Sequence, residues 1–301
     1  MPQIETAEGI RLEYETFGSP ADPPLLMIAG YTMPLIGWPR PFAQLLADGG
    51  RYVIIYDNRD SGLSQRFDGV PANREQITAA AGSGDFAKAR ELAAYTFTEM
   101  ADDGLGLLTA LGIDRAHVLG ASLGGMVAQT IAIQHPERVL TLISMMSHTG
   151  EPEYGQSTPQ TLEILLTPSP VDREGYIEAS KKYTAWRSKR YPDLEFVQQL
   201  AADSYDRGGP YPEGAGRQLA ALIASGPRTA GLETLQTPTL VIHGLDDTLI
   251  APSGGERTAE LVPGARLMLV KDMGHDRPQP LWPLLSAAIL EHTADASAQA
   301  A

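Results

Sequence analysis

The chain has 301 residues, no cysteine and a net charge of −14 from 23 basic and 37 acidic side chains. That length can bury a large core unaided, and the missing thiols exclude disulfides, thiolate metal sites and a cysteine nucleophile. The acidic balance disfavours nucleic acid and anionic lipid as partners. No apolar run reaches the ~18 residues of a membrane span, and Met1-Pro2-Gln3-Ile4-Glu5 lacks the basic and apolar regions of a signal peptide, so the expected location is cytoplasmic.

Ile4 to Thr6 and Arg11 to Phe17 read as an antiparallel hairpin around Glu8-Gly9-Ile10. Further β-rich runs follow at Leu25 to Ala29, Tyr52 to Tyr56, His117 to Leu119, Leu140 to Met145, Thr239 to His243 and Arg266 to Val270. Helical patterns lie between and after them, at Trp38 to Ala47, Tyr95 to Leu111, Leu123 to His135, Arg217 to Ala224, Ser253 to Leu261 and Pro280 to His292. The alternation predicts an α/β fold: a mostly parallel, eight-stranded sheet with helices on both faces.

Two segments interrupt the alternation. Phe67 to Ala94, with the flexible Ala79-Ala80-Ala81-Gly82-Ser83-Gly84, reads as a surface excursion. His148 to Arg228 holds eight aromatic residues, among them Tyr183 and Trp186, on amphipathic helices broken by prolines. It reads as a helical cap over the sheet's carboxyl edge, where open α/β folds bind ligands. The expected division is a core of residues 1–147 and 229–301 with a cap of 148–228 inserted before the seventh strand. Thr293 to Ala301 is small and polar and reads as a disordered tail.

Gly120-Ala121-Ser122-Leu123-Gly124 joins the strand ending at Leu119 to a helix. A serine between glycines at a strand-to-helix junction is a nucleophile elbow, a turn too sharp for flanking side chains. The N–H of Leu123, next after the serine, is one expected oxyanion donor. A serine hydroxyl needs a base within hydrogen-bond reach. Of six histidines, His117, His135 and His292 have sufficient structural roles, His243 ends a strand, and His148 starts the cap, where it can meet a substrate. His275, in Met273-Gly274-His275-Asp276, lies in a loop past a strand's carboxyl end, on the same edge as Ser122, and is the expected base. The acid that orients it falls in Gly244-Leu245-Asp246-Asp247, where either aspartate is well placed.

With Ser, Asp and His in that chain order, the sequence from Leu12 to Leu290 resembles the serine α/β-hydrolase family with a helical cap. The resemblance places the acid on Asp247, with Asp246 as the fallback, and the second oxyanion donor on the backbone N–H of Tyr31 within Ala29-Gly30-Tyr31-Thr32-Met33. Many members carry His-Gly where this chain has Ala29-Gly30. The loop Tyr56-Asp57-Asn58-Arg59-Asp60 resembles one that braces active-site loops in the family. Gly37-Trp38-Pro39 and the Asp57 loop are most similar to the polyketide methylesterase-like group. The implied function is hydrolysis of a carboxylic ester, thioester or lactone through an acyl-enzyme, on a bulky apolar substrate. Trp38, His148, Tyr183 and Trp186 are the expected substrate contacts.

Carbon–carbon bond hydrolysis and cofactor-free perhydrolysis use the same triad, and a non-catalytic small-molecule receptor can share the fold. Ser122 argues against epoxide hydrolases and haloalkane dehalogenases, which place an aspartate at the elbow. The expectation is no cofactor and no metal, because His243, Asp246 and Asp247 on one short loop rarely make a tight site. The expected partners are a small-molecule ester-type substrate and, at most, further copies of the chain as a homo-oligomer.

Overall fold

The computed structural model describes residues 2–299, with side chains described as far as residue 294. Its strands are β1 (Gln3–Glu5), β2 (Arg11–Phe17), β3 (Pro24–Ile28), β4 (Tyr52–Tyr56), β5 (Ala116–Ala121), β6 (Val139–Met145), β7 (Thr239–Gly244) and β8 (Arg266–Val270). They form one sheet in the order β1-β2-β4-β3-β5-β6-β7-β8. β2 pairs antiparallel with β1 and β4, and every pairing from β4 to β8 is parallel. All carboxyl ends from β3 to β8 therefore open on one edge.

The helices are α1 (Arg40–Asp48), α2 (Arg74–Gly82), α3 (Phe86–Leu92), α4 (Phe97–Ala110), α5 (Leu123–Gln134), α6 (Pro159–Leu166), α7 (Arg173–Ser180), α8 (Leu194–Arg207), α9 (Pro212–Ser225), α10 (Thr229–Glu233), α11 (Ser253–Leu261) and α12 (Trp282–Gln299). Successive strand side chains point to opposite faces, so the apolar run of β3 serves two layers. Leu25 and Met27 pack with Phe42 and Leu46 of α1 and Leu285 and Ile289 of α12. Leu26 and Ile28 pack with Met100 and Leu108 of α4 and Met126 and Val127 of α5. Each fully buried residue of this kind contributes about 1.5–3 kcal/mol, which explains a large core without covalent support. Among the described residues no helix is long and apolar enough to cross a membrane.

The expected strands agree with the observed ones to within a residue or two. Elsewhere the structure corrects the sequence reading. The segment after Phe67 is not a loose excursion: α2 and α3 bury Ile77 and Ala89 against Ala220 and Ala224 of α9. The expected tail is helical as far as Gln299, and Thr293 is fully buried, accepting a hydrogen bond from Arg51 Nε at 2.8 Å. The last two tail residues lie outside the described range.

The loop after β4 is fastened by three buried ion pairs. Asp57 meets Arg207 of α8 at 2.6 Å, Arg59 meets Asp103 of α4 at 2.6 Å, and Asp60 meets Arg217 of α9 at 2.8 Å. Removing one partner of such a pair leaves an uncompensated buried charge, at a cost of about 3–5 kcal/mol, whereas an apolar pair of similar volume is often neutral. Arg59→Met is therefore expected to lower unfolding free energy in urea by about 3–5 kcal/mol, and adding Asp103→Leu to restore most of it. Equal losses in the single and double variants would contradict this.

Candidate active site

The site begins with a backbone exclusion. A Cβ on Gly120 would fall on the carbonyl oxygen of Gly124, and one on Gly124 would fall on that of Ile28. Both positions must be glycine for β5 to turn this sharply into α5. At the apex Ser122 has φ 57° and ψ −124°, a conformation that costs a non-glycine residue of order 1–3 kcal/mol and persists only where its surroundings enforce it. Here the Ser122 N–H donates to Met145 O at 2.9 Å, and the Ser122 carbonyl accepts from Ser147 Oγ at 2.9 Å. Leu123 opens α5, so its N–H is one of the donors a helix start leaves without an intrahelical acceptor.

The loop after β3 lies directly against the serine. A Cβ on Gly30 would sit 3.3 Å from Ser122 Cβ and 3.7 Å from Oγ. The next residue is Tyr31, whose N–H meets no acceptor among the described residues. Burial pushes the Tyr31 phenol up to about 12, so it stays protonated and donates to Ala215 O of α9 at 3.1 Å.

His275 is carried inward by a fold-back. The loop after β8 crosses the end of β7, where a Cβ on Gly244 would strike the carbonyls of Met273 and Gly274. Asp246 N–H donates to Met273 O at 2.8 Å, and His275 N–H donates to Trp186 O at 2.6 Å. The His275 Nδ1–H then meets Asp247 Oδ2 at 2.7 Å, which leaves Nε2 as the ring's lone-pair nitrogen. Asp247 Oδ1 accepts the N–H groups of Leu249 and Ile250, both at 2.9 Å. Burial alone would raise the carboxyl, but the His275 and His243 rings beside it outweigh that and hold Asp247 below its ordinary range. Of the two adjacent aspartates the structure thus brings Asp247 to His275. Asp246 turns away and accepts from the Lys189 N–H at 3.2 Å.

The expected substrate contacts divide. Tyr183 and Trp186 stack at 5.2 Å between ring centroids, beside the carbonyl that holds His275. His148 follows β6, and its Nδ1 accepts the Gly150 N–H at 2.9 Å. Burial, then Arg228, then His243 and His275 depress its pKa to about 3, so it is a neutral imidazole with the proton on Nε2. Trp38 is 1% exposed, with its ring stacked against Phe42 and the Arg277 guanidinium 4.2 Å from its centroid, so the structure places it in the core beside α1 and not at an open surface.

His243, at the end of β7, orders the loop that follows: its Nε2 donates to Ile250 O at 2.8 Å and lies 3.4 Å from Asp247 Oδ2. Two further groups brace the loop after β3. Asn58, in the loop that the resemblance marks as a brace, donates through Nδ2 to Ala29 O at 3.0 Å, and Gln218 Oε1 accepts the Thr32 N–H at 2.8 Å. Gln218 went unread, since no local pattern in the sequence marks it.

The alpha/beta hydrolase fold family matches residues 23–276. Rhodomycin D methylesterase DauP of Streptomyces sp. (strain C5) is 31% identical over 311 residues, covering 96% of both chains. Rhodomycin D methylesterase DnrP of Streptomyces peucetius is 30% identical over 309 residues with the same coverage. Among solved structures, the enol-lactonase of Burkholderia xenovorans LB400 superposes with a TM-score of 0.72 at 20% identity, over 97% of this chain and 100% of that one.

The buried histidines predict an acid-side loss of stability. His117, in β5, is pushed down to about 3 by burial, then by Arg51 and His292; His148 is depressed to the same value. Below pH 6.5 the unfolded chain binds protons that these two rings refuse in the folded state, so stability falls as pH drops from 6.5 towards 3. Melting curves from pH 7 to 4 should decline for the wild type and decline less steeply for His148→Gln. Identical slopes would show that His148 titrates normally in the folded protein.

Proposed function

The chain belongs to the alpha/beta hydrolase fold family, and from that premise we propose that it is a serine carboxylic-ester hydrolase whose nucleophile is Ser122. The observation that carries this reading is the enforced left-handed backbone at Ser122, with Gly30 held against its side chain. Strain of that kind is maintained where the side chain's direction matters.

His275 Nε2 takes the hydroxyl proton as Ser122 Oγ attacks the ester carbonyl carbon. Asp247 holds the Nδ1–H tautomer and stabilises the imidazolium as it forms. The N–H groups of Leu123 and Tyr31 receive the developing oxyanion. Collapse breaks the carbon–oxygen bond to the leaving alcohol, which takes the proton from His275 Nε2 and leaves an acyl group on Ser122. Water then attacks the acyl carbon, losing a proton to His275, and the acid departs as Ser122 Oγ is reprotonated. No other group is needed for the balance.

Residues 148–228 act in this reading as a cap. Several contacts tie the segment to the loops that carry His275 and Asp247, among them three hydrogen bonds. Trp186 O accepts from His275 N–H, Ala185 O accepts from Thr248 Oγ1 at 3.1 Å, and Ser188 N–H donates to Asp276 Oδ1 at 3.0 Å. The Tyr183–Trp186 stack supplies an apolar wall, worth about 25 cal/mol per Å² of substrate surface covered, before ordering costs. Together with two methylesterase relatives at 30–31% identity over nearly the whole chain, this favours the methyl ester of a bulky, apolar acid.

Methyl esters of polycyclic aromatic acids are expected to outrun acetyl esters in kcat/KM by at least tenfold. Ser122→Ala and His275→Ala should each remove nearly all turnover, because members of a triad act as a unit. Asp247→Asn should lower kcat by orders of magnitude and Asp246→Asn by less than about tenfold, since a wrong imidazole tautomer disables the base. Full activity in Ser122→Ala, across a panel of esters, thioesters, lactones and vinylogous diketones, would remove the reading.

A further inference from the structure

The geometry points to Gln218 of α9 as the positioning residue that aims the Tyr31 oxyanion donor, a proposal that rests on the serine-hydrolase reading. Gln218 is fully buried. Its Oε1 accepts the Thr32 N–H at 2.8 Å, and its Nε2 donates to the Arg59 carbonyl at 2.8 Å. A backbone N–H only donates and a carbonyl only accepts, so one orientation of the amide satisfies both. Ala215, one turn earlier on the same face of α9, receives the Tyr31 hydroxyl at 3.1 Å.

Peptide groups are planar and joined by two soft dihedrals per residue, so a plane flanked by two fixed planes has little freedom. The Tyr31–Thr32 plane is fixed by Gln218 at its N–H. The Ala29–Gly30 plane is fixed by Asn58, which donates to its carbonyl at 3.0 Å. Between them lies the Gly30–Tyr31 plane, the one that carries the Tyr31 N–H, and its carbonyl accepts the Met33 N–H at 3.2 Å. Thr32 itself sits at φ 54°, a left-handed conformation that a β-branched residue adopts only under constraint. The constraint is supplied by Gln218 on its N–H and by Ser61 Oγ, which donates to its carbonyl at 3.2 Å. An oxyanion donor acts through its placement to within fractions of an ångström. Gln218 touches no reacting atom, and it acts through the orientation of this loop.

The assignment separates from a packing role because it affects the transition state and not the ground state. Gln218→Met keeps the volume and loses both hydrogen bonds, whereas Gln218→Glu keeps an acceptor for the Thr32 N–H. Steady-state kinetics on a methyl ester are expected to show kcat reduced about 10–100-fold in Gln218→Met, with KM within threefold and a smaller loss in Gln218→Glu. A trifluoromethyl ketone, whose adduct with Ser122 carries an oxyanion, should lose affinity in Gln218→Met by the factor lost in kcat/KM. The planar carboxylate product should bind that variant as it binds the wild type. Equal weakening of ketone and carboxylate, or a kcat within threefold of wild type, would overturn the proposal. Where Gln218→Met melts too early to assay, the Gln218→Glu kinetics decide on the same ketone-to-carboxylate comparison. Ser122→Ala measured alongside separates the two claims: loss of turnover there with none in Gln218→Met overturns the role of Gln218 alone, and retained turnover in Ser122→Ala overturns both.

Discussion

No side chain fits at Gly120 or Gly124, and the carboxyl edge of the sheet is organised around that exclusion. With backbone on backbone at both positions, β5 can reverse into α5 within one residue, and Ser122 is left at φ 57° with its hydroxyl beside Gly30. A methyl group at Gly124 would push α5 off Ile28 O, and one at Gly120 would push β5 off Gly124 O at the start of α5; either would disturb the turn that sets the serine against the loop after β3. The same device recurs on the far side of the edge, where Gly244 lets the loop after β8 lie over the end of β7 and bring His275 to Asp247. Close backbone approach sets the geometry, and the polar chemistry is arranged on top of it.

The remaining polar groups hold loops in place with bonds sheltered from water. Asp57, Arg59 and Asp60 are consecutive or nearly so, yet they reach three different helices, α8, α4 and α9. This short loop thereby ties the region between β6 and β7 to the core and presents Asn58 to Ala29 O. Buried ion pairs are weak sources of net stability. Their effect here is positional, because a loop with three charged anchors has one low-energy arrangement. The loop of Tyr31 and Thr32 is in turn pinned between Asn58 and Gln218.

The sequence was most legible where physics is local. The eight strands follow from short apolar runs between turn residues, and the elbow follows from two glycines and their strand-helix context. The pair Asp246-Asp247 shows where local reasoning stops. Both residues occupy the same loop, and the choice between them is made by the N–H groups of Leu249 and Ile250, which fix the Asp247 carboxylate. α2 and α3 escaped notice because the alanine-rich run has little amphipathic signal of its own. Its partners, Ala220 and Ala224, lie about 140 residues further along the chain. Gln218 was illegible for the same reason, since its donor partner Thr32 N–H and its acceptor partner Arg59 O are 186 and 159 residues away. At Trp38 the sequence leaves two readings, since an aromatic residue near a loop suggests a pocket as readily as a core, and its burial against Phe42 and Arg277 comes from partners that no local pattern reveals.

If the strain at Ser122 holds a nucleophile in place, that serine is covalently acylated in turnover. Rapid mixing with a chromogenic ester of a bulky aromatic acid, followed by acid quench and peptide mass analysis, tests it most directly. The expected result is a burst of alcohol equal to one equivalent of enzyme, with the acyl mass on the peptide containing Ser122. Alcohol release without any acylated peptide, or acylation mapped to another residue, would contradict it.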